Sequence, residues 1–181
     1  GFEVDVTIRM ADAFNNPVPA GTSVSFTTSG GLIDSSCITN EASACTVKWR
    51  NQSPRPATGK VTILATALGN ESFVDANGNG IYDTGDGFSA SGTSCNRNAP
   101  TPTLVDPTDS CDDLGEAYLD SNQNDVYDLG EVFVDVFGSN NTLIKDGLRT
   151  EGNGIYDGAL CPQTGPTCTR NSVTVREDLI L

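Results

Sequence analysis

Asp75, Asn77, Asn79, Asp83 and Asp86 occupy positions one, three, five, nine and twelve of the stretch DANGNGIYDTGD. Forty-five residues on, DSNQNDVYDLGE puts Asp120, Asn122, Asn124, Asp128 and Glu131 at the same positions. All these side chains carry hard oxygen, and a hard dication such as Ca²⁺ takes six to eight oxygens at about 2.3–2.6 Å. A twelve-residue loop supplies them when positions one, three and five curl inward. Position seven adds a backbone carbonyl, here from Ile81 or Val126, and positions nine and twelve close the shell. Position six must turn sharply, which suits Gly80 in the first loop. Asp125 takes that place in the second, a residue type that visits the left-handed region more readily than most. The chemistry implied is structural Ca²⁺ binding, one ion per loop.

The spacing resembles the EF-hand calcium loop, although the flanks ESFV and EAYL, with Gly85, Gly87, Gly115 and Gly130 nearby, do not suit helices. Without a helix pair to open, a calcium-sensor role is not expected. A structural ion with affinity between about 10⁻⁶ and 10⁻³ M is. Asp86 is shorter than the Glu usual at position twelve, so the second loop should bind at least as well as the first. The loops belong to a repeat, since ESFVDANGNGIYDTGDGF aligns with EAYLDSNQNDVYDLGEVF. A third, interrupted copy begins EVFVD, contributing Asp135, and resumes at EGNGIYDG with Glu151, Asn153 and Asp157. Leu160 falls at its position twelve, so a third ion would have an incomplete shell.

Other chemistries are poorly provided for. Histidine is absent, which removes the commonest general base and the usual nitrogen ligand for zinc. Serine and cysteine nucleophiles lack that partner, and the paired acids, Glu116 among the alternatives, sit within the metal repeat. An enzyme is therefore not expected. The formal net charge of -14 argues against nucleic-acid partners and anionic membranes. From Glu71 to Asp135 there are fourteen acids and a single base, Arg97. No apolar run approaches the roughly 20 residues that span a bilayer, so membrane insertion is not expected. Six cysteines form local couples, Cys37 with Cys45, Cys95 with Cys111 and Cys161 with Cys168. Fifteen connectivities are open, and neighbour pairing is favoured because each couple brackets a short polar loop. Disulfides imply an oxidising compartment, so an exported, extracellular or cell-surface location is expected.

The elements that position the loops are strands. FEVDVTIRM alternates Phe2, Val4, Val6, Ile8 and Met10 against polar residues, the period of a half-buried strand. SVSFTT, CTVKWR and KVTILATAL follow, with Val24 and Phe26, then Cys45, Val47 and Trp49, then Val61, Ile63, Ala65 and Ala67 facing inward. In NSVTVREDLIL the phase breaks at Glu177, which predicts a bulge at Glu177–Asp178. The expected fold class is all-β, an immunoglobulin-like β-sandwich with a long, mostly irregular calcium-binding insertion before the last strand. Residues 1–70 and 171–181 make the sandwich, and residues 71–170 the disulfide-linked insertion. The insertion shows almost no hydrophobic period, so it should lack a core of its own and rely on ions and disulfides. Phe73, Tyr82, Phe88, Tyr118, Tyr127, Phe133 and Tyr156 should form a small local core between the loops.

VDVTIRMADAFNNPVPAGTSVSFTTSGG, continued by ACTVKWRNQSPRPATGKVTILATALG, resembles bacterial immunoglobulin-like domains of the invasin and intimin kind. The strand, the Asn-Pro-Val turn and the Val-x-Phe strand carry the likeness, over roughly the first 70 residues and the last 10. The resemblance implies a seven-stranded Greek-key sandwich, export, and service as a spacer or adhesive module of a long surface protein. Its partners would be neighbouring domains, identical subunits, or a host or cell-surface ligand. A first sandwich strand ahead of Phe2 is missing from the sequence, which starts abruptly at GFEVDV like a processed or excised piece. The alternative function is a subunit of an extracellular filament assembled by β-strand addition.

Overall fold

The computed structural model describes residues 1–53, 55–89, 112–124, 127–136 and 145–181. Among these the fold is all-β, with no helix. The strands in chain order are β1 (Glu3–Arg9), β2 (Ser23–Thr28), β3 (Leu32–Ile33), β4 (Ser36–Ile38), β5 (Ala44–Arg50), β6 (Thr62–Gly69), β7 (Tyr156–Asp157), β8 (Cys168–Thr169) and β9 (Val173–Ile180). One sheet has the order β1-β5-β3 and another β4-β2-β6-β9, every pairing in both being antiparallel. β7 and β8 form a short parallel pair.

Alternation along β1, β2 and β5 does what the sequence predicts, because each has one covered face. Val6, Val24, Phe26, Cys45, Val47, Trp49, Val61, Ile63 and Ala65 form one buried cluster to which both larger sheets contribute. Trp49 donates its indole N–H to the Gly30 carbonyl at 2.9 Å. Gly31 next door has φ +77°, and a Cβ there would lie 2.7 Å from both the Arg50 carbonyl oxygen and the Trp49 ring, so only glycine fits without movement. Cys37 and Cys45 are disulfide-bonded, tying β4 of one sheet to β5 of the other. Cys161 and Cys168 are likewise bonded, while Cys95 and Cys111 lie outside the described residues.

β6 departs from simple alternation, since six successive residues from Thr62 to Ala67 are buried. Its second face is covered by the polypeptide that follows it. Leu64 packs with Ala117 and Leu119, flanked by Val134. Thr66 stands opposite Arg176 in the β6–β9 register, and Arg176 donates to the Gly115 carbonyl at 2.7 Å. The predicted bulge at Glu177–Asp178 is absent, because β9 pairs with β6 without interruption from Thr62↔Ile180 to Gly69↔Val173. The phase breaks because the C-terminal half of β9 is exposed on both faces and so has no apolar period to keep.

Residues 71–170 do bury a core, and it is built on aromatic residues expected between the loops. Tyr156, Cys161 and Cys168 are buried together, packed by Phe73, Tyr82, Phe88 and Leu160. The aromatic residues form two groups rather than one. Phe73, Tyr82, Phe88 and Tyr156 share ring contacts at 4.7–6.1 Å between centroids. Tyr118, Tyr127 and Phe133 form a separate chain at 5.6 and 6.0 Å. Sequence period misses such a core because its residues come singly from turns instead of from one face of a long element.

Candidate metal centre

The first twelve-residue loop is pinched at its base, where Val74 and Gly87 exchange backbone hydrogen bonds of 2.8 and 3.0 Å. Within it the Asp75 carboxylate accepts the N–H groups of Gly78, Asn79 and Gly80 at 2.7, 3.2 and 2.7 Å. The Gly80 N–H, and after it those of Gly78 and Asn79, hold the Asp75 carboxyl below the usual carboxylate range. Asp86 bridges the loop, its two oxygens accepting from Ala76 N–H at 3.0 Å and Asp83 N–H at 2.8 Å. Asp83 accepts the side-chain amides of Asn77 (3.2 and 3.1 Å) and Asn79 (2.7 Å).

The second loop repeats this arrangement at the positions described. Leu119 N–H donates to the Val132 carbonyl at its base, 2.8 Å. Asp120 accepts Gln123 N–H at 2.6 Å and Asn124 N–H at 3.2 Å. Glu131 bridges Ser121 N–H (2.7 Å) and Asp128 N–H (3.1 Å). Asp128 accepts the amides of Asn122 and Asn124 at 2.6 and 2.8 Å. The sequence placed the sharp turn at position six, yet position four is left-handed as well, Gly78 at φ +72° and Gln123 at φ +63°. Val126 and Asp125 lie outside the described residues. Ile81, at position seven of the first loop, is solvent-exposed.

The third copy is brought together differently. Asn153 donates its side-chain amide to Asp157 at 2.6 Å and accepts Ile155 N–H at 2.8 Å, as positions five and nine do elsewhere. The repeat puts Asp135 of EVFVD at position one, while the residue four before Asn153 is Arg149, whose guanidinium lies over the Tyr118 and Tyr127 rings at 4.8 and 5.0 Å. Asp113 fills the vacated role from forty residues upstream. Its carboxylate accepts Asn153 N–H at 3.0 Å and Gly154 N–H at 2.9 Å, the pairing that Asp75 makes with Asn79 and Gly80. Burial pushes the Asp113 carboxyl up. Glu151 is exposed and paired with Arg149, and Asp135 accepts Gly147 N–H at 2.9 Å, so neither joins the Asn153–Asp157 turn through these contacts.

Two residues outside the twelve-residue loops hold the repeats in place. Glu71 and Glu116, the leading acid of each copy, are 2% and 1% exposed. Glu71 accepts Leu114 N–H and Asp157 N–H, both at 2.7 Å, and donates its own N–H to the Asp157 carbonyl. Glu116 accepts Val136 N–H at 2.5 Å and Thr150 N–H at 3.0 Å, and donates its N–H to the Thr150 carbonyl. Each buried carboxyl group thus laces its repeat to distant chain. Burial drives the Glu71 carboxyl up to about 8, against its two N–H donors, with Asp113 and Asp157 adding to the rise. The signal in the sequence was their shared place at the head of the repeat.

The donors of both loops are of the type a hard dication takes. Among the described residues, however, no three or more Asp, Glu, His or Cys side chains gather as a metal-holding group. The carboxylates are spread over backbone N–H groups, and the amide nitrogens of positions three and five face position nine. No helix among the described residues is long and apolar enough to cross a membrane. No family model, curated protein or solved structure matches the chain.

Proposed function

We propose that this chain is a non-enzymatic, calcium-stabilised structural or adhesive module of a bacterial cell-surface or extracellular protein. Its two larger sheets, facing a shared cluster, are read as an immunoglobulin-like β-sandwich that carries the calcium loops as an insertion. One observation supports the calcium reading above the others. Two loops related by sequence repeat hold positions one, nine and twelve in the same hydrogen-bonded roles. Calcium would compete with the Asn77 and Asn79 amides for Asp83, and with the Asn122 and Asn124 amides for Asp128. Two disulfides fit an oxidising compartment.

Calorimetric titration with Ca²⁺ tests the reading. The wild-type chain should take up two ions with dissociation constants between about 10⁻⁶ and 10⁻³ M. Asp75→Ala and Asp120→Ala should each lose one of them. No binding heat in the wild type, together with unchanged protease resistance in excess EDTA, would sink the proposal.

A further inference from the structure

The outer edge of β1 carries no strand among the described residues, since β1 ends the sheet order β1-β5-β3. Which of its backbone groups are free follows from the ladder. Met10 N–H bonds to Ser43 O and Asn51 N–H to Phe2 O, both in the register of the β1–β5 pairing. Antiparallel ladders alternate, so the even-numbered residues of β1 bond inward to β5. Glu3, Asp5, Thr7 and Arg9 turn their N–H and C=O groups to the open side. On the core-facing side of the same strand Val4, Ile8 and Met10 are only partly buried, and Phe2 is 65% exposed. An edge of this kind is a template for another strand.

Charge selects the occupant. Lys48 and Arg50 on β5 pair with Glu3 and Asp5 within the chain but leave both carboxylates partly exposed. Arg9 stands opposite Ala44 and makes no ion pair among those seen in the described residues. We propose that two copies of this chain pair antiparallel through β1, with the two-fold axis at Val6. In that register Glu3 faces Arg9 of the second copy twice over, Asp5 faces Thr7, and Val4 faces Ile8. The open groups of residues 3, 5, 7 and 9 then meet one another, and no like charges are opposed. A parallel arrangement in register would set Arg9 against Arg9.

The other long edge, β9, is a poorer candidate. Its odd-numbered residues bond inward to β6, because Leu181 and Val61 exchange both bonds. Symmetric pairing centred on Arg176, Glu177 or Asp178 would set a charge against its own copy, which destabilises. The β1 interface is isologous and closes as a dimer, not as a fibre. It involves only β1 and β5, so it stands or falls separately from the calcium reading.

Sedimentation velocity on the 181-residue chain tests it, run from about 10 µM to about 1 mM because the interface is small. The mass should rise with concentration from 18.9 kDa toward twice that value. Arg9→Glu and Glu3→Lys should each raise the dimer dissociation constant about tenfold or more by opposing like charges. An equimolar mixture of the two variants should associate again. In the mixed dimer the introduced lysine faces the introduced glutamate, while the native Arg9 of one copy faces the native Glu3 of the other. Thr7→Pro removes one outward N–H, which an edge strand tolerates, and should remain folded by circular dichroism yet monomeric. A wild-type monomer throughout the range, a dimer that survives Arg9→Glu, or a mixture that does not re-associate overturns the proposal.

Discussion

Glu71 holds two segments by their backbone N–H groups in a place water hardly reaches, and its protonation should be visible in stability. Its folded-state value of about 8 lies above the ordinary 4.5. Between those values the folded chain binds more protons than the unfolded one, so stability falls as pH rises through that window and levels off above it. Melting temperatures of the wild type in chelator should therefore drop from about pH 5 to about pH 8, whereas Glu71→Gln should show a flatter profile. An equally steep fall in the variant would assign the effect to other groups. Gly31→Ala should cost about 3 kcal/mol in urea titrations, from left-handed strain and collision with Trp49. The donors of the first two loops are legible in the sequence because all fall within twelve residues. Asp113 is not, because it reaches the third turn from a distant segment, where the repeat points to Asp135 of EVFVD instead.

At the scale of elements, what can be read depends on how many faces are covered. β1, β2 and β5 each show one apolar face and are plain from alternation. The β6 segment reads as a strand with one inward face, Val61, Ile63, Ala65 and Ala67, because nothing local announces that its second face receives Ala117 and Leu119. β3 and β4 are two and three residues long, too short for any period. Leu119→Ala should destabilise by about 2–4 kcal/mol, since Leu119 fills the contact between sheet and insertion. Limited proteolysis should then cut first between residues 112 and 136, and cleavage confined to residues 1–53 would contradict this packing. Replacing Cys37 and Cys45 together by alanine should cost about 2.5 kcal/mol for so short a bridged loop. Urea titration of the oxidised double variant against wild type measures it.

For the whole molecule the governing quantity is a net charge of -14 gathered heavily between Glu71 and Asp135. In chelator these acids repel one another across a screening length of about 10 Å at 0.1 M salt. Added NaCl should accordingly raise the melting temperature of the chelated protein and affect the calcium-loaded protein much less, a comparison that calorimetric scans at two ionic strengths can make. Equal salt dependence in both states would disfavour calcium as the neutralising partner. Ala117, Leu119 and Val134 of the insertion pack against Leu64 of the sheet, yet the covalent attachment of the insertion is simple. β6 ends at Gly69 and β9 begins at Val173, and these two residues are register partners. The whole excursion therefore occupies the place of a hairpin turn, leaving and rejoining the scaffold at one strand spacing. An Asn-Gly turn joining Gly69 to Val173, with Leu64→Thr to suit the newly wetted face, should yield a smaller cassette-free scaffold, and the same doorway would accept unrelated polypeptides whose ends lie side by side.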